Sequence, residues 1–573
     1  MKFSELVVCF ERLEATTKRL EMFDILAGLF KHSGQKDIDK IIYMSQGQLL
    51  PAFHGLETGM SEKLLIRALS QATGNDNGDI TKEFKKSGDL GLTAEQIIKK
   101  KGDGLSVTDV YNELLKLPHI TGEGSVEKKI SILSNLFSAS SKTEAKYIAR
   151  FVIGRLRLGV GDQTVLDALA LSIGDRSHKP DLERAYNLCS DLGLVGKILL
   201  EEGIEGIRKT KVQLGYPIRM ALCERLPSAE KIVEKIGRCA IESKYDGFRC
   251  QVHKTKSGVE IFSRNLERTT LMFPEIVEGA KRHIKAMECI FEGEALAYND
   301  ATGELFPFQV TMQRKRKHGV EEMAKEFPLK FFVFDLLYVD GVDYTEYPYQ
   351  KRRLKMYEII ERNTVMEPSE TIITDDPEAI TKFFEDTVSR GLEGIIAKRL
   401  DAPYSAGARN FNWIKLKRSY KGELADTIDV CIVGYFAGKG QRAKFGVGAL
   451  LGAVYDPDSD SFKTVSKVGS GFSDEEWTKL KEMLNQTAIG HKPARVDSLI
   501  EPDVWVTPTY VVTVTADEIT RSPTHTAGRE DEEGYALRFP RAQGFIREDK
   551  NPEDATTVAE IIEMFEMQKS MKV

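Results

Sequence analysis

Residues 244–249 read Lys244-Tyr245-Asp246-Gly247-Phe248-Arg249. A lysine just ahead of an Asp-Gly pair is, by itself, an ordinary turn. Its company changes the reading. Downstream, in order, come Ser263-Arg264-Asn265, Phe291-Glu292-Gly293-Glu294-Ala295, Phe332-Val333-Phe334-Asp335, Glu393-Gly394-Ile395-Ile396-Ala397-Lys398 and Trp413-Ile414-Lys415-Leu416-Lys417. Short apolar or alternating runs carry these residues: RCQVHK, VEIFSR, CIFEGEALAY, KFFVFDLLYV, GIIAKR and FNWIKLK. Helical patterns such as TLMFPEIVEGAKRHIKAM and YQKRRLKMYEIIER lie between them. Strands mixed with helices predict an α+β domain over 214–420.

The residue types suit phosphoryl chemistry. A lysine amine attacks phosphorus only when unprotonated, so its neighbours must supply cations or low polarity. Glu294 and Glu393 are isolated carboxylates at the ends of apolar runs. They are either surface glutamates or ligands for Mg2+, which prefers carboxylate and phosphate oxygens. Phe334 is either core or a stacking face for a nucleobase. Lys415 and Lys417 fall on one strand face by period-2 alternation, and two cations aimed at one spot suit a triphosphate.

Outward from this centre the texture changes. Residues 1–213 carry apolar residues at helix spacing, as in SEKLLIRALSQATG and EAKYIARFVIGRLRLG, and predict an all-α domain. Residues 421–573 carry short strands separated by turns, including IDVCIVGYFAG, GALLGAVYD and VWVTPTYVVTVTADEI. They predict a small β-barrel of OB-fold type with a C-terminal helix. Within this region lie Leu537-Arg538-Phe539-Pro540-Arg541 and Arg547-Glu548-Asp549-Lys550.

The 573 residues fit several soluble domains. No apolar run reaches the roughly 18 residues of a membrane helix, and the N-terminus reads as an amphipathic helix and not a signal peptide, so a cytoplasmic location is expected. Net charge is −6. That argues mildly against a nucleic-acid partner unless basic residues cluster. They do so at Arg314-Lys315-Arg316-Lys317 and at Lys415, Lys417, Arg418 and Lys421, although such runs are usually solvated faces. No two of the seven cysteines stand at a C-x-x-C spacing, which disfavours a zinc ribbon. Gln46 to Phe53 partly resembles a sliding-clamp peptide, but its apolar, helix-like setting favours core packing.

Together these motifs resemble the ATP-dependent DNA ligases of the archaeal and eukaryotic replicative type, within the nucleotidyltransferase superfamily. The resemblance covers nearly the whole chain. Tyr147 to Phe151 and Arg155 to Gly161 look like the helical DNA-binding domain of those ligases. It implies that Lys244 forms a phosphoamide with AMP and Glu242 reads the adenine amino group. Arg249 and Arg264 would hold phosphates. Glu294 would touch ribose and, with Glu393, bind Mg2+ (Mn2+ is an alternative). Phe334 would stack on adenine, and Lys415 and Lys417 would stabilise the α-phosphate. Arg538, Arg541 and Lys550 would orient pyrophosphate when the last domain closes. The implied activity is sealing of nicks between a 5′-phosphate and a 3′-hydroxyl in replication, repair and recombination, hence in cell division. Nicked duplex DNA is the implied partner, a sliding clamp a further candidate, and a monomer the expected state. Arg409 stands in a less glycine-rich approach to the lysine strand than is usual, which leaves a phosphate role for it open. A nucleotide other than ATP as second donor also stays open.

Three alternatives stand beside this reading. An RNA ligase or other nucleotidyltransferase would share Lys244 and the carboxylates, but most lack the helical N-terminal region. An NAD-dependent ligase would carry a cysteine zinc site. A non-catalytic DNA-binding relative would not need Lys244, Glu294, Glu393 and Lys417 together.

Overall fold

The computed structural model describes all residues except 307, 315, 317–318, 418–426, 439–444 and 571–573. Lys315, Lys317, Arg418 and Lys421 of the two basic runs therefore lie outside the described residues.

Met1–Glu183, Asp191–Lys209 and Thr427–Glu566 pack as one compact unit; a second comprises Arg184–Ser190 and the central region from Thr210. Twelve α-helices lie between Phe3 and Arg208, all in the first unit except the second half of Lys179–Cys189. Several starts are written in the sequence. Ser141 caps Lys142–Val152 by accepting from the Glu144 N–H, and Glu144 returns a bond to the Ser141 N–H (2.7 Å). Leu49 and Phe53 are buried, and Tyr111 donates to the Leu49 carbonyl (2.5 Å), so the clamp-like segment is core here.

The strand-rich part of this unit holds β12 (Ile428–Phe436), β13 (Ala449–Asp456), β14 (Ser461–Val468), β15 (Ala488–Ile489), β16 (Val496–Asp497), β17 (Val504–Val506), β18 (Val511–Thr515) and β21 (Arg541–Ile546) in one eight-stranded sheet. β12 pairs with β13, β17 and β18, and register shifts in β12–β13 and β13–β14 curl the sheet in the manner of an OB-fold. β19 (Glu518–Ser522) and β20 (Gly534–Arg538) form a hairpin beside it. Helical and barrel parts share ion pairs. Arg19 donates to Asp460 (2.7 Å), which Arg495 also holds.

The second unit is built of two facing sheets. β1 (Leu222–Arg225), β11 (Arg409–Lys417), β10 (Gly394–Arg399), β2 (Cys239–Lys244) and β9 (Thr371–Thr374) form the first, in that order. β4 (Gly258–Ser263), β3 (Phe248–Thr255), β5 (Cys289–Ala297), β6 (Leu329–Val339) and β7 (Val342–Asp343) form the second, with β8 (Met366–Pro368) joined to β6. Alternation gives each strand two faces. Outer faces are apolar. Cys239, Ile241, Ile395, Ala397, Ile414 and Leu416 pack with Ile232 and Ile380 of helices Ala229–Ile236 and Pro377–Ser389. Val252, Phe291 and Val333 pack with Ile276 and Met356 of helices Pro274–His283 and Tyr349–Ile359. The inner faces carry the polar residues, and Phe334 meets Trp413 across the gap.

Candidate active site

Three strands set the site by register. Across β2, β10 and β11, Lys244, Gly394 and Lys417 stand in one row, and Glu242, Ile396 and Lys415 in the next. The two lysines thus flank a position without a side chain. Gly394 has φ 148°, and a Cβ there would sit 2.2 Å from the Leu416 carbonyl oxygen, so only glycine fits. Its neighbour Glu393 donates its N–H to the Lys244 carbonyl (3.1 Å). The Glu393 carboxylate bonds Lys244 Nζ through one oxygen and Lys417 Nζ through the other. Burial alone would raise its pKa, but the two ammonium groups hold it well below the usual carboxylate range.

The Asp-Gly turn after Lys244 brings the chain against β5. A Cβ on Gly247 would lie 2.3 Å from the Ala295 carbonyl oxygen, and the Gly247 N–H reaches Glu294 Oε1 (3.2 Å). Burial raises the Glu294 pKa to about 7, against the lowering effect of Lys244 and Arg249. Glu294 is thus a carboxylate whose charge the protein compensates only in part.

Deeper in the cleft the groups are dry. Glu242 is 2% exposed and Lys398 1%. Tyr349 donates its hydroxyl to Glu242 Oε1, and Lys398 Nζ donates to Glu242 Oε2 (3.0 Å) and to the Phe334 carbonyl (2.8 Å). Phe334 meets Trp413 edge to face, centroids 6.0 Å apart, with the Lys398 ammonium 4.8 Å from its ring centre. Phe332 stacks on Tyr245 at 4.2 Å.

Some expected site residues are engaged elsewhere. Arg249 donates to Glu292 (2.9 Å) and to the Ala221 carbonyl (2.7 Å), with its guanidinium 5.4 Å from the Phe334 and Trp413 rings. In this structure it braces β3 against β5, its cation facing the buried Glu292 carboxylate. Tyr404 also donates to Glu292 (2.8 Å). Arg409 donates to the Cys223 carbonyl (3.2 Å) and ties β11 to β1. Arg264 is half-buried just after β4. In the barrel, Lys550 pairs with Asp429 and Arg547 with Asp549 (2.6 Å), so the tail of the last motif braces the barrel in this structure. Arg538, Phe539 and Arg541 are exposed, Arg541 lying 3.9 Å from Asp517. Arg314, expected on a basic face, is buried and paired with Glu275 (2.6 Å).

Sequence reasoning missed Lys398 and Tyr349. Lys398 stands two residues from Ile396 in an apolar strand, and a lysine in such a run was a signal for a buried partner.

The chain is similar to known proteins along its whole length. The model for the ATP dependent DNA ligase domain matches residues 220–417, that for the DNA ligase N terminus residues 2–170, and that for the ATP dependent DNA ligase C terminal region residues 443–550. A "Probable DNA ligase" of Dictyoglomus thermophilum is 52% identical, over 100% of this chain and 99% of its own length. A "DNA ligase" of Staphylothermus marinus is 46% identical over 99% of each chain, and one of Pyrobaculum arsenaticum 44% identical over 100% of this chain and 99% of its own. The identities span the helical region, the two facing sheets and the barrel alike, and the chain therefore belongs to the ATP-dependent DNA ligases.

Proposed function

We propose that this ligase seals nicks through a lysyl-AMP intermediate on Lys244, serving replication, repair and recombination in the cytoplasm as a monomer. The Lys244 amine attacks the α-phosphorus of ATP; a P–N bond forms, the bond to pyrophosphate breaks, and the amine proton leaves to solvent. AMP then passes to the 5′-phosphate of a nick, freeing Lys244. Finally the 3′-hydroxyl attacks that phosphate and AMP departs. The observation that carries this reading is the clasp of Lys244 and Lys417 on Glu393 inside the cleft. An ammonium held by a carboxylate has no lone pair to offer, so that contact must open before attack.

Glu294 and Glu393 fit Mg2+ by their chemistry: hard oxygen donors, one of them an under-compensated buried carboxylate, at a place where phosphates would supply further oxygens. When bound, the cation would neutralise phosphate charge during transfer. Lys415 and Lys417 would stabilise the α-phosphate. Glu242 would accept from the adenine amino group, Phe334 would stack on the base, and Arg264 would hold a phosphate. Arg538 and Arg541 would meet pyrophosphate only when the barrel closes on the nucleotide. The functional parts would be 1–213, 214–420 and 421–573, the first gripping duplex backbone by phosphate contacts.

The test is sealing of a nicked duplex with ATP and Mg2+, compared with the same nick in RNA and with excess chelator. Sealing of DNA that chelator abolishes is expected. Preferential sealing of RNA would overturn the substrate reading, and chelator-insensitive sealing the metal reading.

A further inference from the structure

The geometry points to Tyr349 and Lys398 as the residues that set the choice of base, by holding Glu242 as a pure hydrogen-bond acceptor. This inference rests on the reading that Glu242 faces the base.

A carboxylic acid can donate or accept; a carboxylate can only accept. Burial pushes the Glu242 carboxyl upward, toward the protonated form, and Lys398 and Tyr349 oppose that shift. Geometry settles which form the pair supports. The Tyr349 hydroxyl donates to Oε1 and the Lys398 ammonium to Oε2. Hydrogen bonds donated to both oxygens favour the charged form, so the lone pairs that remain on Glu242 are offered as acceptors. Both donors are themselves fixed. Lys398 is anchored by the Phe334 carbonyl and covered by Trp413, its Nζ 4.3 Å from that ring centre. Tyr349 is 1% exposed and begins the helix Tyr349–Ile359, its N–H bonded to the Ala402 carbonyl (2.9 Å).

A third group approaching this carboxylate must bring a hydrogen. The exocyclic amino group of adenine does so at its six position. Guanine presents a carbonyl oxygen there, and two acceptors facing each other in a dry site repel. Sites built to pair a buried polar group reject analogues that leave it unpaired far more strongly than apolar pockets do. Tyr349 and Lys398 are positioning residues on this account: they touch Glu242 and not the nucleotide.

The test is transfer of label from α-labelled ATP and from α-labelled GTP to the protein, read as the ratio of the two values of kcat/KM. Tyr349→Phe removes one oxygen and should lower the ATP-over-GTP ratio about tenfold, the effect of one hydrogen bond to a charged group. Lys398→Met should lower it further; if that variant does not fold, Tyr349→Phe decides alone. An unchanged ratio in Tyr349→Phe, with ATP labelling intact or uniformly slowed, overturns the inference. Glu242→Gln separates the two levels. A collapsed ratio in Glu242→Gln beside an unchanged ratio in Tyr349→Phe leaves Glu242 as base reader and removes only the role of its partners. An unchanged ratio in Glu242→Gln removes the base-reading role itself, and the inference with it.

Discussion

At the scale of single residues, Glu393 is where two cations meet. Its removal takes away a proposed metal ligand and leaves Lys244 and Lys417 facing each other without a counter-charge. Self-adenylation of Glu393→Ala should fall by on the order of 10²–10³-fold, the usual cost of losing one electrostatic contact in the transition state. Single-turnover labelling with ATP measures it, and a rate within a few-fold of the parent would refute the role given to Glu393. Lys244, Glu294, Glu393, Lys415 and Lys417 were legible in the sequence because each interrupts or ends an apolar strand run. Arg249 was legible as a charged residue in the same motif, but its contact with Glu292 was not. That contact depends on the pairing of β3 with β5, in which Gln251 stands opposite Glu292. Register between distant strands is a tertiary fact, and the sequence pattern of either strand alone does not contain it.

At the scale of elements, Asp335 shows the same division. The sequence assigns a role to Phe334 and none to its neighbour Asp335, which is 0% exposed and pairs with Arg352 through two bonds, 2.7 and 2.9 Å. It locks the helix Tyr349–Ile359 onto β6. Breaking one side of such a buried pair costs about 3–5 kcal/mol, so Asp335→Ala should lower unfolding stability by that amount in a denaturant titration. A loss below about 1 kcal/mol would show that the pair is not a structural lock. β3 carries a second device. The fully buried His253 accepts from the Gly215 N–H (3.1 Å), and its other nitrogen lies 2.9 Å from Gln251 Oε1, which also accepts from the Ile218 N–H (2.8 Å). Burial lowers its pKa to about 3. An unfolded histidine titrates near ~6.5, so the native state binds fewer protons between those values. Stability from this residue is therefore present above about pH 6.5 and is lost as pH falls toward 3, on the order of a few kcal/mol. Melting temperatures across that range should fall more steeply for the parent than for His253→Gln; parallel curves would contradict it. The strands themselves were legible from alternation, but the inward turn of a histidine among apolar neighbours was not.

At the scale of the whole molecule, the order of a helical region, an α+β region and a barrel followed from texture alone: helix-spaced apolar residues, then mixed runs, then short strands with turns. The packing of helical and barrel parts into one compact unit did not, because its contacts, such as the ion pair of Arg19 with Asp460, join residues far apart in sequence. Lys417 is fixed beside Lys244, whereas Arg541 sits exposed on the barrel. A residue fixed at the α-phosphate serves every step that handles it; a residue brought by closure serves only the closed state. Lys417→Ala should slow both self-adenylation and sealing of a preadenylated nick. Arg541→Ala should slow self-adenylation and largely spare that sealing. Equal loss of the sealing step in both variants would refute closure as the role of the barrel motif. The central claim is that one amine carries the AMP. Incubation of Lys244→Ala and Lys244→Arg with α-labelled ATP and Mg2+, followed by denaturing electrophoresis, tests it most directly. The account predicts no label on either variant, since arginine stays protonated, with a circular dichroism spectrum like that of the parent. Acid-labile AMP on either purified variant, at a level near that of the parent, would contradict it.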